Sequence, residues 1–377
     1  MKKPLCSLTS RRANRQSVFW SFVDRQAREL AVNMAEKMLQ LLLQDHLKAG
    51  WNQRSDQRTG YRNGYYRRQL VSPHGPLTIR VPRCRDSSFD PNAVFDRYQR
   101  RLTDVEAVLR HSYLLGVSTR GVARLGEQIF GGCLSHQAIS NLMRWLDDEL
   151  LNWRNQPIEG HYSVVYIDGM HVDRLGSDRM VMLVAGERPD GRLEVLDFCV
   201  SRGERCVGLL AALRKRGLEG VELFVSDDSG AIGSALEQVY PEVPRQDCVF
   251  HRLSRLRAKI GSTVYRDQMV AEAACVFRCD SETAALSVAG IWRRKWQHIC
   301  PIGVWQFTEG LCRSLTFFEL PRKRWKRVRT NNPMENLIRQ LRRRLNPMGC
   351  FHDDAAIERA VFGQILRSER IKLTHNT

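Results

Sequence analysis

The stretch Tyr162-Ser-Val-Val-Tyr-Ile-Asp-Gly-Met-His171 decides the fold that we expect for this chain. Residues 164–167 are all β-branched or aromatic, which predicts a buried strand. The strand is predicted to end at Asp168, directly before Gly169, so that a carboxylate lies at the rim of a sheet. Because Asp-Gly is also a common turn pair, Asp168 becomes a functional candidate only if other carboxylates join it.

The segments that follow predict further elements of one mixed sheet. Strands are expected at 180–186 and 193–201 around the turn Arg188-Pro-Asp-Gly191, followed by a helix over 205–216, a strand over 221–226, a helix over 229–240 and a short strand at 246–250. The order β-β-β-α-β-α-β is that of an RNase H-like mixed sheet. Asp227 and Asp228 follow the 221–226 strand, so two acidic strand ends are expected side by side.

A third candidate carboxylate lies in a basic segment near the C-terminus. Residues 252–320 predict helices without strands, and ten Lys and Arg lie between residues 322 and 344, against the single acidic Glu335. Asn332 as cap and Pro333 in the first turn predict a helix start, which places Glu335 in that first turn. The helix dipole gives such a Glu an ordinary explanation. A lone Glu on a DNA-facing surface would nevertheless repel the phosphates that its basic neighbours attract.

Net charge is the unusual feature of the composition. Fifty-nine Lys and Arg against 41 Asp and Glu give +18 at pH 7, within 377 residues that predict two or three domains. Arginine, the commoner cation here, pairs its planar fork with phosphates and guanine edges, which favours a nucleic-acid partner. A membrane partner is disfavoured, because no long apolar run or basic amphipathic helix accompanies the charge.

The cysteines predict reduced thiols in a cytoplasmic protein. The N-terminal residues lack the apolar core of a signal peptide, and the 11 cysteines are scattered without paired spacing. Cys248-x-x-His251 with Cys275-x-x-x-Cys279 admits a zinc site. The second pair lies in an Ala-rich helical stretch, however, where buried thiols are the commoner case.

The N-terminal part predicts DNA-contacting elements. Apolar residues at helical spacing predict an amphipathic helix or helix pair over 17–48, and an arginine-rich β-hairpin follows around Pro73-His-Gly-Pro76. Two helices, capped at Ser118 and Ser135 and separated by Gly131-Gly132, resemble a helix-turn-helix with the second helix over 136–150. A solvated hairpin and a simple packing pair are the alternatives. The DNA-contact candidates in these elements are Arg62, Arg67, Arg68, Arg80, Arg83, Gln137, Asn141 and Arg144.

Three carboxylates, Asp168, Asp227 and Glu335, are thus candidates for one site. Phosphodiester chemistry uses such clusters, because carboxylate oxygens bind Mg²⁺ and two ions about 3.5–4 Å apart stabilise the attacking and leaving oxygens. Like charges packed this closely are unfavourable without cations.

Eight short segments, in this order and spacing, resemble the Mutator-type transposases of bacterial insertion sequences. They are Gly60-Tyr-Arg-Asn-Gly64, Ile79-Arg-Val-Pro-Arg-Cys-Arg-Asp86, Phe95-Asp-Arg-Tyr-Gln-Arg-Arg101, Gly116-Val-Ser-Thr-Arg120, Ile167-Asp-Gly-Met-His171, Val225-Ser-Asp227, Cys248-Val-Phe-His251 and Asn331-Asn-Pro-Met-Glu-Asn336. The resemblance implies a DDE catalytic domain of RNase H-like fold, with Asp168, Asp227 and Glu335 as its metal-binding triad. Cys248 and His251 match the family's Cys-x-x-His signature. Asp228 stands where the family often has a small residue, and it is the alternative to Asp227.

Four regions follow from this interpretation. They are an N-terminal helical region (1–53), a basic hairpin region (54–100), a helix-turn-helix-like region (101–158) and an α/β, RNase H-like catalytic domain (159–377) with a helical insertion at about 252–320. In the catalytic domain Arg324, Arg339, Arg342 and Arg343 are DNA-contact candidates.

The expected function is a DNA transposase that binds terminal inverted repeats and catalyses DNA cleavage and strand transfer. Two Mg²⁺ ions, with Mn²⁺ as a substitute, are the expected cofactors, and Asp168 is expected to bridge them. A cytoplasmic bacterial protein, associated with the nucleoid when DNA-bound and forming a homodimer or higher oligomer, is expected. The alternatives are an RNase H-like nuclease without strand transfer and a DNA-binding regulator without catalysis.

Overall fold

The computed structural model describes residues 9–86, 88–131, 134–172, 179–201, 205–261, 263–349 and 351–374. Two compact units divide the chain, Met1–Met143 and Arg144–Thr377. The boundary between the two units lies within residues 101–158, which the sequence pattern predicts to be one helical region. Helix α5 (Trp145–Asn155) packs against the last helix of the second unit. An ion pair between Arg359 and Asp147 strengthens this packing.

The first unit begins with one long helix and a hairpin. Helix α1 (Thr9–Leu47) packs against the antiparallel strands β1 (Arg62–Ser72) and β2 (Gly75–Cys84). The hairpin is longer than the sequence pattern predicts, since the pairing runs from Ser72 opposite Gly75 out to Arg62 opposite Cys84. Its buried face and α1 share one apolar core, formed by Leu39, Leu70, Leu77, Ile79, Val81 and Phe95.

Helix α1 buries a different face from the one that carries its most obvious apolar periodicity. Leu39, Leu43 and Leu47 are almost fully buried, whereas Leu30 and Met34 are more than half exposed. At 100° per residue the two sets lie on opposite sides of the helix. Periodicity therefore locates the helix but does not choose its packed side.

Three short helices complete the first unit: α2 (Thr103–Leu114), α3 (Thr119–Phe130) and α4 (His136–Leu142). The predicted caps are present, because Ser118 Oγ accepts from the Gly121 N–H and Ser135 Oγ from the Ala138 N–H. The predicted helix over 136–150 is wrong in its length, since a turn at residues 143–144 separates α4 from α5. Gln137, Asn141 and Arg144 are exposed, as a groove-facing role requires.

The second unit is built on a five-stranded mixed sheet. Its strands are β3 (Val164–His171), β4 (Met180–Glu187), β5 (Leu193–Ser201), β6 (Leu223–Ser226) and β7 (Arg245–Asp247). The order is β5-β4-β3-β6-β7, with antiparallel pairing from β5 to β3 and parallel pairing from β3 to β7. Helices α6 (Cys206–Lys215) and α7 (Gly230–Val239) bury their apolar sides on one face of this sheet.

Helices form the remainder of the second unit. The bounds are α8 (Val249–Lys259), α9 (Thr263–Cys275), α10 (Glu282–Trp296), α11 (Pro301–Thr308), α12 (Arg322–Val328), α13 (Asn332–Leu345) and α14 (Asp354–Thr374). The helical stretch between β7 and α12 matches the predicted insertion in character. Its aromatic core includes Trp292 and Phe307, whose ring centroids lie 4.7 Å apart, whereas Trp305 is exposed. Within the described ranges, no helix is long and apolar enough to span a bilayer.

Two boundaries next to the candidate carboxylates differ from prediction. Strand β3 continues through Asp168 to His171, because β4 pairs with it along its whole length, from Val164 opposite Glu187 to His171 opposite Met180. The predicted strand over 246–250 is only three residues long, since Cys248 caps helix α8.

Candidate active site at the ends of two parallel strands

Parallel pairing brings Asp168 and Asp227 together. Ile167 of β3 lies opposite Ser226 of β6, and the pairing of the two strands ends there. The residue that follows each of them is an aspartate, Asp168 or Asp227. Side chains alternate between the faces of a sheet. Val165 and Ile167 point into the α6–α7 core, which puts Asp168 on the opposite face. Both aspartates are half-buried, and Asp227 raises the pKa of Asp168 by charge repulsion.

Helix α13 carries Glu335 to the same place through a short chain of hydrogen bonds. The Asn331 side chain donates to the Ile167 carbonyl (3.3 Å), and its backbone N–H donates to Cys248 Sγ (3.3 Å). The Cys248 N–H in turn donates to the Ser226 carbonyl (2.7 Å). These bonds join the start of α13 and the start of α8 to β3 and β6. Asn331 rather than Asn332 is therefore the N-cap residue, and its amide bonds to the sheet instead of its own helix.

Asp168 and Glu335 line one cavity of about 180 Å³. His251, Arg342 and Asn331 line it as well. Asp227 lies outside this lining, although its charge acts on both Asp168 and His251. The three carboxylates predicted from the sequence thus lie in one region, with Asp168 and Glu335 facing a common space.

The charge of Asp168 is costly in this site. Burial raises the pKa of its carboxyl to about 6, and the negative charge of Asp227 acts in the same direction. The charge of His251, the Gly169 N–H at 2.9 Å and the charge of Arg342 lower the pKa but do not offset the burial. A carboxylate held in this way gains from a bound cation.

His251 is the positive counterpart of these carboxylates. A hydrogen bond to the Cys248 side chain, with the negative charges of Asp168 and Asp227, raises the pKa of His251 to about 9 against the effect of burial. Nδ1 of its ring is buried without a hydrogen-bond partner among the described residues. The two residues of the Cys-x-x-His pair therefore make different contacts: Cys248 bonds to the start of α13, and His251 faces the acidic cluster.

Asp227 and Asp228 differ in their ion pairs. Asp228 is engaged by Arg255 and lies 3.5 Å from the Arg252 guanidinium. The Asp227 carboxylate accepts the Ser229 N–H (3.3 Å) within its own turn, and its charge acts on the site. Asp228 thus ties the strand end to α8, which leaves Asp227 as the residue that faces Asp168.

Arg252 is a structural residue that the sequence patterns miss. Its side chain is 2 % exposed and donates to Ser314 Oγ and to the carbonyls of Phe307, Glu309 and Gly310. It also lies 3.5 Å from each of Asp247 and Asp228. One buried guanidinium therefore joins the helical insertion to β7 and to the turn after β6. Its position directly after His251 is the only sequence signal that could have drawn attention to it.

The donor set fits a magnesium ion in its chemistry. Hard carboxylate oxygens are the ligands that Mg²⁺ prefers. In the described ranges Asp168, Asp227 and Glu335 form no ion pair within 4.0 Å, whereas nearby Asp228 and Asp247 do. Within those same ranges, no three His, Cys, Asp or Glu side chains are gathered closely enough to hold a metal ion. Cys275 and Cys279 are joined only by a local bond from Cys279 Sγ to the Cys275 carbonyl (3.5 Å).

Several of the predicted DNA-contact arginines are already engaged within the chain. Arg62 donates to the Ala49 and Gly50 carbonyls, and Arg68 donates to the Asp96 and Gln99 carbonyls. Arg80 pairs with Glu36, Arg83 lies over the Tyr66 ring, and Arg324 pairs with Glu222. Arg67 and Arg343 are exposed, Arg342 lines the cavity beside Asp168, and Arg339 donates to Asn336 Oδ1.

Comparison with known proteins shows the family to which the chain belongs. Residues 3–370 match the model of the family described as "Transposase, Mutator family". The chain is 31% identical over 346 residues to the transposase for insertion sequence element ISRM5 of Rhizobium meliloti, an alignment that covers 89% of this chain and 85% of the relative. It is 28% identical over 329 residues to the transposase for IS1081 of Mycobacterium tuberculosis, covering 85% and 79%. The chain belongs to the Mutator family of transposases.

Proposed function

We propose that this transposase binds the ends of an insertion sequence and catalyses DNA cleavage and strand transfer through a DDE site formed by Asp168, Asp227 and Glu335. The observation that carries the proposal is the convergence of Asp168 and Glu335 on one cavity, beside Asp227 and His251. The strand order β5-β4-β3-β6-β7 supports an RNase H-like core, in which the carboxylates at the ends of the two central parallel strands form the site.

Mg²⁺ held by Asp168, Asp227 and Glu335 would activate the attacking oxygen and stabilise the leaving oxygen of a phosphodiester. Asp168 would help to hold the metal, because burial and the charge of Asp227 make its negative charge unfavourable without a cation. His251 and Arg342 supply positive charge at the rim of the cavity, where a DNA phosphate would approach. Cys248 and Asn331 hold α13 against the sheet and so keep Glu335 in position.

DNA recognition is proposed for the first unit. The exposed residues Gln137 and Asn141 on α4 suit a groove, and Arg67 on the hairpin suits a phosphate. Because transposition joins two element ends, a homodimer or higher oligomer is the proposed assembly.

The test is Mg²⁺-dependent cleavage of a duplex that carries the element's end. Asp168→Asn, Asp227→Asn and Glu335→Gln should each lower the cleavage rate on the order of 10³-fold or more, because residues that act as a unit fail together. Asp267→Asn, which removes a carboxylate from an exposed ion pair with Arg257, is the matched control and should cleave normally. Full activity of Asp168→Asn would refute the assignment.

Two further measurements separate the rival functions. Joined products on a target plasmid distinguish a transposase from a nuclease with the same site. A DNA-binding regulator would bind equally well with EDTA and would produce no nicks with Mg²⁺ or Mn²⁺.

A further inference from the structure

Two cavities that share part of their lining border helix α13. One has a volume of about 720 Å³ and lies between α13 and α14, and the other, of about 740 Å³, lies between α13, α12 and the turn from β4 to β5. Asn336, Leu337 and Gln340 line both cavities, so the two cavities adjoin at these residues of α13. We call this surface the α13 groove.

The lining of the α13 groove is strongly cationic. Each cavity contributes four cationic side chains, and among the residues that the structure describes no Asp or Glu belongs to the lining of either one. The cations are Arg339, Arg343, Arg344 and Arg367 on the α14 side and Arg192, Lys323, Lys326 and Arg327 on the other side. Carboxylates outside the lining pair with two of them: Glu187 with Arg327 (2.9 Å) and Asp190 with Arg192 (3.4 Å). The groove as a whole therefore presents an excess of positive charge.

Two of these arginines come from different helices and repel each other. Burial lowers the pKa of the Arg367 guanidinium on α14, and the positive charge of Arg344 on α13 lowers it further. The C-terminal dipole of α13 accounts for cations in its last turn. It does not account for Lys323 and Lys326 on α12, nor for Arg367 in the body of α14. An anion in the groove would relieve this repulsion.

We propose that the α13 groove binds the sugar-phosphate backbone of DNA beside the phosphate that is cleaved. This inference rests on the proposed function and extends it to a surface away from the carboxylates. Glu335 and Arg343 lie eight residues apart on one helix, which is about 12 Å at 1.5 Å per residue. Since each strand of DNA rises about 3.4 Å per nucleotide, the groove contacts phosphates three or four nucleotides from the cleaved bond.

An anionic phosphate group is the chemistry that two ligands share, a DNA strand and a free phosphate. The size of the groove favours the strand, because its two cavities exceed 700 Å³ each and their cations line both sides of the helix. Leu337, which both cavities share, adds an apolar surface between the cations that suits a sugar or a base.

The first experiment measures binding of the full chain to end-bearing duplex in EDTA, as a function of salt. The double variant Arg343→Gln/Arg367→Gln should lower the slope of log K against log salt by about 1.8, that is about 0.9 for each phosphate that the variant no longer neutralises. Lys323→Gln/Lys326→Gln tests the other side and should give a similar decrease. The matched control is Arg257→Gln/Lys295→Gln, which removes two exposed cations of the same unit that pair with Asp267 and Glu272, and its slope should equal that of the wild type.

The second experiment locates the contact on the DNA. A neutral methylphosphonate, placed three or four nucleotides from the cleaved bond, should weaken binding by the wild type and the control. It should have no further effect on Arg343→Gln/Arg367→Gln, because the cations that contact this phosphate are already absent. Equal urea midpoints for all variants would show that the differences arise from binding rather than from folding.

Two results would overturn the proposal. One is an unchanged salt slope for both groove variants. The other is evidence that the groove binds free phosphate instead of DNA. In that case inorganic phosphate at constant ionic strength would raise the melting temperature of the wild type but not of Arg343→Gln/Arg367→Gln, while the salt slopes of DNA binding would be equal for the two proteins. Failure of the proposed function is distinguishable, because the wild type would then show no cleavage, or Asp168→Asn would cleave normally, whatever the salt slopes in EDTA.

Discussion

Replacing Asp168 by Asn should stabilise the protein in the absence of divalent metal. Burial raises the pKa of the Asp168 carboxyl from an ordinary value of 3.8 to about 6. Between these two pH values the folded state holds more protons on this group than the unfolded state does, so the free energy of unfolding falls as pH rises through that window. Above pH 6 the whole cost of the charge is present. A difference of about 2.2 pH units corresponds to about 3 kcal/mol.

The neutral amide of Asp168→Asn avoids this cost. Urea unfolding in EDTA should therefore show the variant about 3 kcal/mol more stable than the wild type at pH 8, and about 1.5 kcal/mol more stable at pH 5, where part of the carboxyl is protonated in both states. Mg²⁺ should raise the stability of the wild type and close the gap, because a bound cation favours the charged carboxylate.

Asp228→Asn is the internal comparison for this experiment. It makes the same chemical change sixty residues along the chain, but Asp228 is paired with Arg252 and Arg255, so the variant should lose about 1–3 kcal/mol. Opposite signs for the two variants at pH 8 are the expected result. An Asp168→Asn protein that is no more stable than the wild type at pH 8 in EDTA would refute the reasoning.

Three further changes test other parts of the second unit. The pKa of His251 is raised to about 9, so its protonation contributes stability that is fully present below the ordinary pKa of 6.5 and is lost as pH rises through 9. His251→Gln should remove about 1–2 kcal/mol of this pH-dependent stability between pH 6.5 and 9, after allowance for solvent screening. Urea midpoints measured against pH would show the loss. Arg252→Met should cost about 3–5 kcal/mol of unfolding free energy, because it removes the hydrogen bonds to Ser314 Oγ and to the carbonyls of Phe307 and Glu309, together with one of the arginine charges that surround buried Asp247. Arg257→Met, at an exposed ion pair, should change the urea midpoint little. Gly186→Ala should cost about 1–3 kcal/mol, since its methyl group would overlap the Tyr162 ring, whereas Gly208→Ala in α6 meets open space and should gain about 0.5–1 kcal/mol.

Local sequence information predicts much of this fold. The β-branched run at residues 164–167, the caps at Ser118 and Ser135, and the Asn-Pro start of α13 all depend on neighbours within a few residues. The chain order of strands and helices from β3 to β7 follows from the same patterns. Where prediction failed, at the end of β3, at Cys248 and at the turn over 143–144, a partner distant in sequence or the packing of a helix set the boundary.

The aspartates at positions 168 and 227, the isolated Glu335 and the basic character of the chain are readable from the sequence alone, because residue type and spacing are local properties. Only the tertiary structure decided that Asn331 and Cys248 bring Glu335 to Asp168 across more than a hundred residues. The tertiary structure also shows that arginines form ion pairs with Asp228 rather than with Asp227, and that Arg62, Arg68 and Arg80 bond to other groups of the chain. The physical reason is that hydrogen bonds and ion pairs between distant segments depend on packing geometry, which no periodicity along the chain encodes.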